Sequence, residues 1–323
     1  MKNFWQTLPK PFFVLAPLAN VTDPAFRSII AKYSKPAGPH VFWTEFVSAD
    51  GLVLAHDEGR KKLMRDLVYS EAERPIVAQF FTATLAHMEK VAALAQELGF
   101  DGIDINMGCP DKTIEKQGAG AKLIQTPELA QELIAAAKRG APNLPVSVKT
   151  RLGYNKDTLD EWLPKILAAK PAAVTIHART RKEMSLVPAR WERVKRAVEI
   201  RNELGSDALI LGNGDVKDIE EARERVQETG CDGVMIGRGI FGKPWMFGGK
   251  PEPELPQRLR VAVEHTKLFE KMLGDIKSFA IMKKHFKAYV EGFPGARELR
   301  MELMEANDSV EVERKIEQFL SSR

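Results

Sequence analysis

Gly99–Leu123 reads GFDGIDINMGCPDKTIEKQGAGAKL. A short apolar strand runs through Ile103 and Ile105 and ends on Asn106 and Cys109, where it opens into a glycine-rich loop. The next helical pattern begins at Thr126-Pro127-Glu128, with threonine at the cap and proline at the first helical position. This strand, loop and helix is one unit of a parallel α/β fold. It leaves a hydrogen-bonding amide and a thiol at the carboxyl end of the strand, the edge on which such folds carry chemistry.

The same cadence extends in both directions. Short β-rich runs occur at Phe12–Ala16, Val41–Phe46, Ile76–Phe81, Gly102–Asn106, Val146–Thr150, Ala173–His177, Ala208–Gly212 and Gly233–Gly237. Helical patterns separate most of them, at His87–Leu98, Pro127–Arg139, Leu159–Ala169, Trp191–Leu204 and Ile219–Thr229. Asp23-Pro24 supplies the helix start after the first strand. Eight strands in this rhythm predict a closed parallel (β/α)8 barrel of the TIM type; a doubly wound sheet is the competing arrangement, but no reversal of strand order is evident.

Gly248-Gly249-Lys250-Pro251 breaks the rhythm and reads as a linker. Beyond it, Pro256–Leu273, Ile276–Val290, Ala296–Ala306 and Val310–Phe319 carry helical patterns. The expected division is a barrel over residues 1–249 and a small all-helical domain over 250–323.

Composition sets the limits. With 323 residues, 44% of them hydrophobic, the chain can bury a large core, and a net charge of +4 against 48 basic and 44 acidic residues does not by itself indicate nucleic acid. Only Cys109 and Cys231 are present, so neither a disulfide framework nor an all-cysteine metal site is expected within one chain. The histidines form no HExxH or HxH pattern, so no metal is expected. No uninterrupted apolar stretch is long enough to span a bilayer, and the N-terminal MKNFWQTLPKPFF lacks the features of a leader. A soluble, cytoplasmic protein is the expectation.

In a barrel the strand ends converge on one face, and here they carry Pro17, Gln79, Asn106, Cys109, Lys149, Arg151, His177, Arg179, Asn213, Asp215 and Arg238. A core-only scaffold would not need that polar inventory. Asn213-Gly214-Asp215 and Gly237-Arg238-Gly239 follow the last two strands, where glycine amides and an arginine suit phosphate; each motif alone is also an ordinary turn. Lys149 can stabilise electron density on an oxidised ring, and Gln79 can both donate to and accept from one. His177 can donate to a cofactor or substrate, and Arg179 can grip a carbonyl or phosphate. Gly118-Ala119-Gly120 lacks the spacing of a dinucleotide fingerprint.

Taken in order, APLANVTDPAFR (16–27), the Gln79 strand end, DINMGCPDKTIEKQGAGAKL (104–123), SVKTRLG (147–153), IHART (176–180), LGNGD (211–215), MIGRG (235–239) and MKKHFKAYVEGFPGARELR (282–300) resemble the tRNA-dihydrouridine synthases, bacterial type with a helical C-terminal domain. Ala178, within IHART, and the FFTAT after Gln79 depart from the usual pattern. The resemblance implies an FMN-dependent oxidoreductase that reduces the C5–C6 double bond of a tRNA uridine with electrons from NADPH. It implies FMN contacts at Ala16, Pro17, Leu18, Gln79, Lys149, His177, Asn213, Gly214, Asp215, Gly237 and Arg238. Cys109 is implied as proton donor, and Asn106 and Arg179 as residues that orient the uracil.

A base reaches such a site only if extruded from the RNA. Lys277, Lys283, Lys284, His285 and Lys287, with Phe279, Phe286 and Tyr289 between them and Arg297 and Arg300 after them, form a basic interval suited to RNA backbone. From it Lys283, Lys284, Lys287 and Arg297 are the expected tRNA contacts. The protein is expected to act as a monomer. Competing readings are a flavin oxidoreductase of a free dihydropyrimidine and a noncatalytic RNA-binding protein.

Overall fold

The computed structural model describes residues 3–249 and 251–322; Met1, Lys2, Arg323 and Lys250, where the sequence boundary falls, lie outside them. The eight strands are β1 (Phe12–Leu15), β2 (Phe42–Ser48), β3 (Ile76–Phe81), β4 (Gly102–Met107), β5 (Val146–Arg151), β6 (Ala173–His177), β7 (Leu209–Asn213) and β8 (Gly233–Ile236). All pair in parallel, in the order β1-β8-β7-β6-β5-β4-β3-β2. The two ends of this curled sheet meet through His40 N–H to Phe13 O (2.9 Å) and Leu15 N–H to Val41 O (3.2 Å). The expected barrel is thereby present.

Helices α1 (Pro24–Ser34), α2 (Ala49–Leu54), α3 (Asp57–Asp66), α4 (Leu85–Glu97), α5 (Lys112–Lys116), α6 (Pro127–Gly140), α7 (Leu159–Ala168), α8 (Trp191–Glu203) and α9 (Ile219–Thr229) accompany the strands. Asp23 caps α1 by accepting from Phe26 N–H at 2.9 Å. Pro127 opens α6 as expected, but the Thr126 side chain makes no capping bond.

Strand alternation sorts the core into layers. Phe13 and Leu15 face outward into the cluster beneath the helices, whereas Phe12 and Val14 join Trp43, Val77, Leu211 and Met235 inside the ring. Trp5, from a single 3-10 turn (Phe4–Thr7), plugs the bottom against Phe12 and Trp43 at centroid separations of 6.0 and 5.7 Å. Above this apolar layer the inward positions turn polar. Register aligns Gln79 with Asp104 and Asp104 with Ser147, then Asn106 with Lys149, and Arg151 with His177 beside Asn213.

After the barrel come α10 (Leu255–Leu273), α11 (Met282–Tyr289), α12 (Ala296–Met304) and α13 (Ser309–Ser321). The helical pattern over Ile276–Val290 is broken, because the Ser278 side chain accepts from Ala280 N–H and starts a separate 3-10 turn before α11. These helices share a core with the barrel: Ala25 and Ile29 of α1 pack with Leu259, Phe269 and Phe286. His265 and His285 lie inside it, 4.9 and 4.7 Å from the Phe26 ring, and burial lowers both imidazole pKa values so that they stay neutral.

Two residues of the basic interval are therefore not where an RNA contact would need them. His285 is fully buried, with Phe286 and Tyr289 packed beside it. Lys277, 13% exposed, is drawn back into the barrel between Glu45 (2.6 Å) and Asp66 (2.7 Å). Burial raises the Glu45 carboxyl to about 7 even with Lys277 pulling it down, and the same carboxyl accepts from Asn20 N–H. Among the described residues, no helix is long and apolar enough to cross a membrane.

Candidate active site

The polar layer opens upward into a cavity of about 260 Å³ at the carboxyl ends of the strands. Ala16, Pro17 and Leu18 form one wall, and Asn106 and Cys109 the opposite one. Lys149, His177 and Arg179 lie between, and Asn213, Gly214, Asp215, Gly237 and Arg238 close the ring. A larger depression of about 920 Å³ sits at the other end of the barrel, among the loops that precede β5, β6 and β7; it gathers no comparable set of titratable groups.

On the Cys109 side the hydrogen bonds are internal. Asn106 Oδ1 accepts from the Gly108 and Cys109 amides at 3.1 and 2.9 Å, which folds the chain back so that the thiol stands at the strand end. Asn106 Nδ2 donates to Gln79 Oε1 at 3.1 Å, and Gln79 Nε2 donates to Asp104 Oδ2 at 2.5 Å. Gln79 thus lies one layer below the cavity and does not line it; it supports Asn106. Burial raises the Asp104 carboxyl to about 6, against the bonds it accepts from Ser147 and Gln79.

Arg151 clamps this loop from the next strand, donating to Gly108 O (2.8 Å), Thr180 O (3.2 Å) and Met184 O (3.0 Å). Gly120, at φ +63°, lets the following turn press against the loop, because a Cβ there would lie 2.8 Å from Cys109 O. Burial pushes the Cys109 thiol up, and the Asp111 charge adds to this, while the Asp111 amide, Arg151 and Lys149 oppose it. The group is a protonated acid at neutral pH. That is the state a proton donor requires.

Lys149 has no carboxylate within salt-bridge distance among the described residues, and burial together with Arg151 lowers its ammonium pKa to about 8. His177 is held neutral by burial and by the surrounding Arg151, Lys149, Arg179 and Arg238 charges. Its Nε2 faces Arg179 Nη1 at 3.1 Å. An arginine only donates, so Nε2 accepts and the imidazole proton sits on Nδ1. Arg179 also donates from Nε to Val187 O (2.6 Å) and from Nη2 to Asp215. With all three nitrogens engaged, Arg179 sets the His177 tautomer and anchors Asp215.

On the β7–β8 side the Asn213 and Asp215 side chains are engaged by the protein, Asn213 Nδ2 donating to Met235 O at 2.8 Å, and the backbone amides and Arg238 are left toward the cavity. Burial pushes the Asp215 carboxyl up, but Arg179, the Ala189 amide and Arg238 outweigh it and hold the group below the usual carboxylate range. Both its oxygens are engaged, and Oδ1 takes Arg238 Nη2 at 2.9 Å. The Arg238 side chain remains 63% exposed. Among the described residues the Gly214 and Gly237 amides meet no protein acceptor. A Cβ on Gly237 would find its nearest neighbour, Ala16 Cβ, at 3.7 Å, so the protein alone does not require glycine there. Free amides, a half-free guanidinium and an unfilled position together fit a phosphate and the ring attached to it.

Phe46 and Ser185 line the cavity without having been singled out in the sequence, and Arg151 was singled out without a role. Phe46 lines the cavity because a register shift between Trp43 and Phe46 turns it inward and sends Glu45 toward Lys277. Ser185 reaches the wall from the β6–α8 loop. Lys283 is half-buried, and Lys284, Lys287 and Arg297 are exposed; none lines the cavity.

Residues 14–323 match the sequence model of the family described as Dihydrouridine synthase (Dus). The chain is 40% identical over 321 residues to the Staphylococcus aureus (strain COL) protein named "Probable tRNA-dihydrouridine synthase", covering 98% of this chain and 96% of that protein. It is 40% identical over 323 residues to the Bacillus subtilis (strain 168) protein named "Probable tRNA-dihydrouridine synthase 2", covering 98% and 97%. Among solved structures, histamine dehydrogenase from Rhizobium sp. 4-9 superposes with a TM-score of 0.53 at 12% identity, over 80% of this chain and 49% of that one, a likeness of fold alone. With a family match across nearly its whole length, the chain belongs to the dihydrouridine synthase family.

Proposed function

We propose that this protein reduces the C5–C6 double bond of a uridine in tRNA to 5,6-dihydrouridine, with FMN as resident cofactor and NADPH as electron source. The observation that carries this reading is a thiol kept protonated at the cavity wall, facing a rim whose free amides and arginine suit a flavin phosphate. FMN held in this cavity and reduced by NADPH would supply the hydride that the uracil double bond takes up at C6.

The protein's own groups do the rest. Cys109 gives its Sγ proton to C5, so that hydride and proton together saturate the double bond. The Lys149 and Arg151 charges stabilise the thiolate left behind until solvent reprotonates it. Asn106 fixes the height of the thiol through the Gly108 and Cys109 amides and keeps one Nδ2 proton for a uracil carbonyl. His177 presents Nδ1–H. Gly214, Gly237 and Arg238 would hold the phosphate of FMN, Lys149 would offer its charge to the ring as it gains electron density, and Ala16, Pro17 and Leu18 would give it an apolar wall.

The helical segment from residue 251 onward presents RNA-facing cations at Lys283, Lys284, Lys287 and Arg297, and the protein acts in the cytoplasm as a monomer. Purified holoenzyme given NADPH and unmodified tRNA is expected to form dihydrouridine, read by nucleoside mass analysis. Turnover of free uracil with no product in tRNA would reject this function.

A further inference from the structure

Nine large hydrophobic side chains are exposed on the described surface, and three of them, Met184 (43%), Leu186 (86%) and Val187 (37%), fall within four residues of the β6–α8 loop. The other six are scattered. Isolated exposed apolar residues are ordinary, whereas a cluster at the mouth of a cavity marks contact.

The loop holds these side chains outward with a fixed backbone. Met184 N–H and Leu186 N–H donate to Arg181 O (3.2 Å) and Glu183 O (2.9 Å). Arg151 holds Met184 O, Arg179 holds Val187 O, and Asp215 holds Ala189 N–H. Three residues that organise the cavity thus also set the loop. Met184 has φ +55°, a region that non-glycine residues enter seldom and at some cost, most often at binding sites. Ser185, between the exposed side chains, lines the cavity itself.

Charge beside the loop indicates the occupant. Lys182, whose amide donates to Tyr154 O (2.9 Å), is exposed, and Lys122 places its ammonium 5.6 Å from the Tyr154 ring centre. Neither lysine has a carboxylate within salt-bridge distance among the described residues. An apolar ridge beside uncompensated cations, continuous with a cavity sized for a ring, is complementary to a polyanion with exposed planar bases.

Resting on the function proposed above, we infer that Met184, Leu186 and Val187 form a platform for the nucleobases that flank the extruded uridine. Extrusion leaves those neighbours unstacked on one face. An aliphatic ridge at the cavity lip covers that face, and Lys122 and Lys182 meet the adjoining phosphates.

The test is the holoenzyme of the double variant Met184→Ser/Leu186→Ser, whose changed side chains are solvent-facing. The expected result is a KM for unmodified tRNA raised about tenfold, with the rate of flavin bleaching by NADPH unchanged. Leu186→Met should restore most of the affinity in place of Leu186→Ser. The loss should persist across salt concentrations, whereas Lys182→Ala should flatten the salt dependence. An unchanged tRNA KM overturns the inference; so does slower bleaching by NADPH, which would make the ridge a nicotinamide surface, and so does a fall in molecular mass in solution, which would make it a contact between copies. If the wild-type enzyme forms no dihydrouridine in tRNA, the functional reading fails first. If it does and the double variant matches it, the platform alone fails.

Discussion

On the β4–β5 side of the cavity, Asn106, Gln79 and Arg151 direct their hydrogen bonds at the protein; on the β7–β8 side, the backbone amides of Gly214 and Gly237 meet no acceptor among the described residues. The first side is finished without a ligand. Its bonds converge on one loop and place one thiol. The second is half of an interaction, with Arg238 tethered at one end by Asp215 and otherwise in solvent. A wall that positions a reacting atom must be rigid before substrate arrives, whereas a wall that binds must keep donors available.

If this contrast is right, changes on the two sides should damage different measurements. The largest effect is expected for Cys109→Ala, which should slow single-turnover dihydrouridine formation by about 10²- to 10⁴-fold while the protein retains its flavin. Undiminished product formation would remove the proton donor and with it the meaning of the internal bonds.

Next come Asn106→Ala and Arg238→Ala as a pair. Loss of Asn106 leaves two loop amides unpaired and should lower kcat about 10- to 100-fold at nearly constant FMN affinity. Loss of Arg238 should weaken FMN binding by a similar factor, about 10- to 100-fold, with kcat at saturating FMN nearly intact. Flavin fluorescence titration separates them, and a shared defect would dissolve the distinction between the two walls.

The smallest effect is in pH dependence. Lys149 has its pKa lowered to about 8, so its charge is present below that pH and lost above it. Tenfold less tRNA-dependent flavin reoxidation per pH unit is the most that can follow above about pH 8. Lys149→Arg, which keeps its charge across this range, should abolish that limb. His177 stays neutral and should add no limb near its ordinary pKa.

Much of the barrel was legible because parallel strands buried on both faces read as short apolar runs; the Ile103–Ile105 strand and the Asp23 cap stand where the chain predicts. Helix α3 was not, since DEGRKKLMRD buries no residue and carries no apolar stripe. The residue types that gather at the cavity were legible too, as strand-end positions. Their partners were not. Nothing local to Asn106 states that its oxygen faces the Cys109 amide, and Arg179 reads as a free guanidinium until the fold brings Val187, His177 and Asp215 around it. Lys277 looks like part of a basic surface because the carboxylates that claim it, Glu45 and Asp66, are more than two hundred residues away in the chain.

That last contact limits how the protein can be rearranged. Lys277 arrives from the helical segment, yet its charge completes a pair of barrel carboxylates, one of which holds the Asn20 amide beside the wall formed by Ala16, Pro17 and Leu18. A barrel grafted onto a foreign set of helices would inherit two acids without their cation, next to the cavity at the strand ends. Any exchange of parts between relatives must therefore carry positions 45, 66 and 277 together, as a three-residue passport for the helical segment.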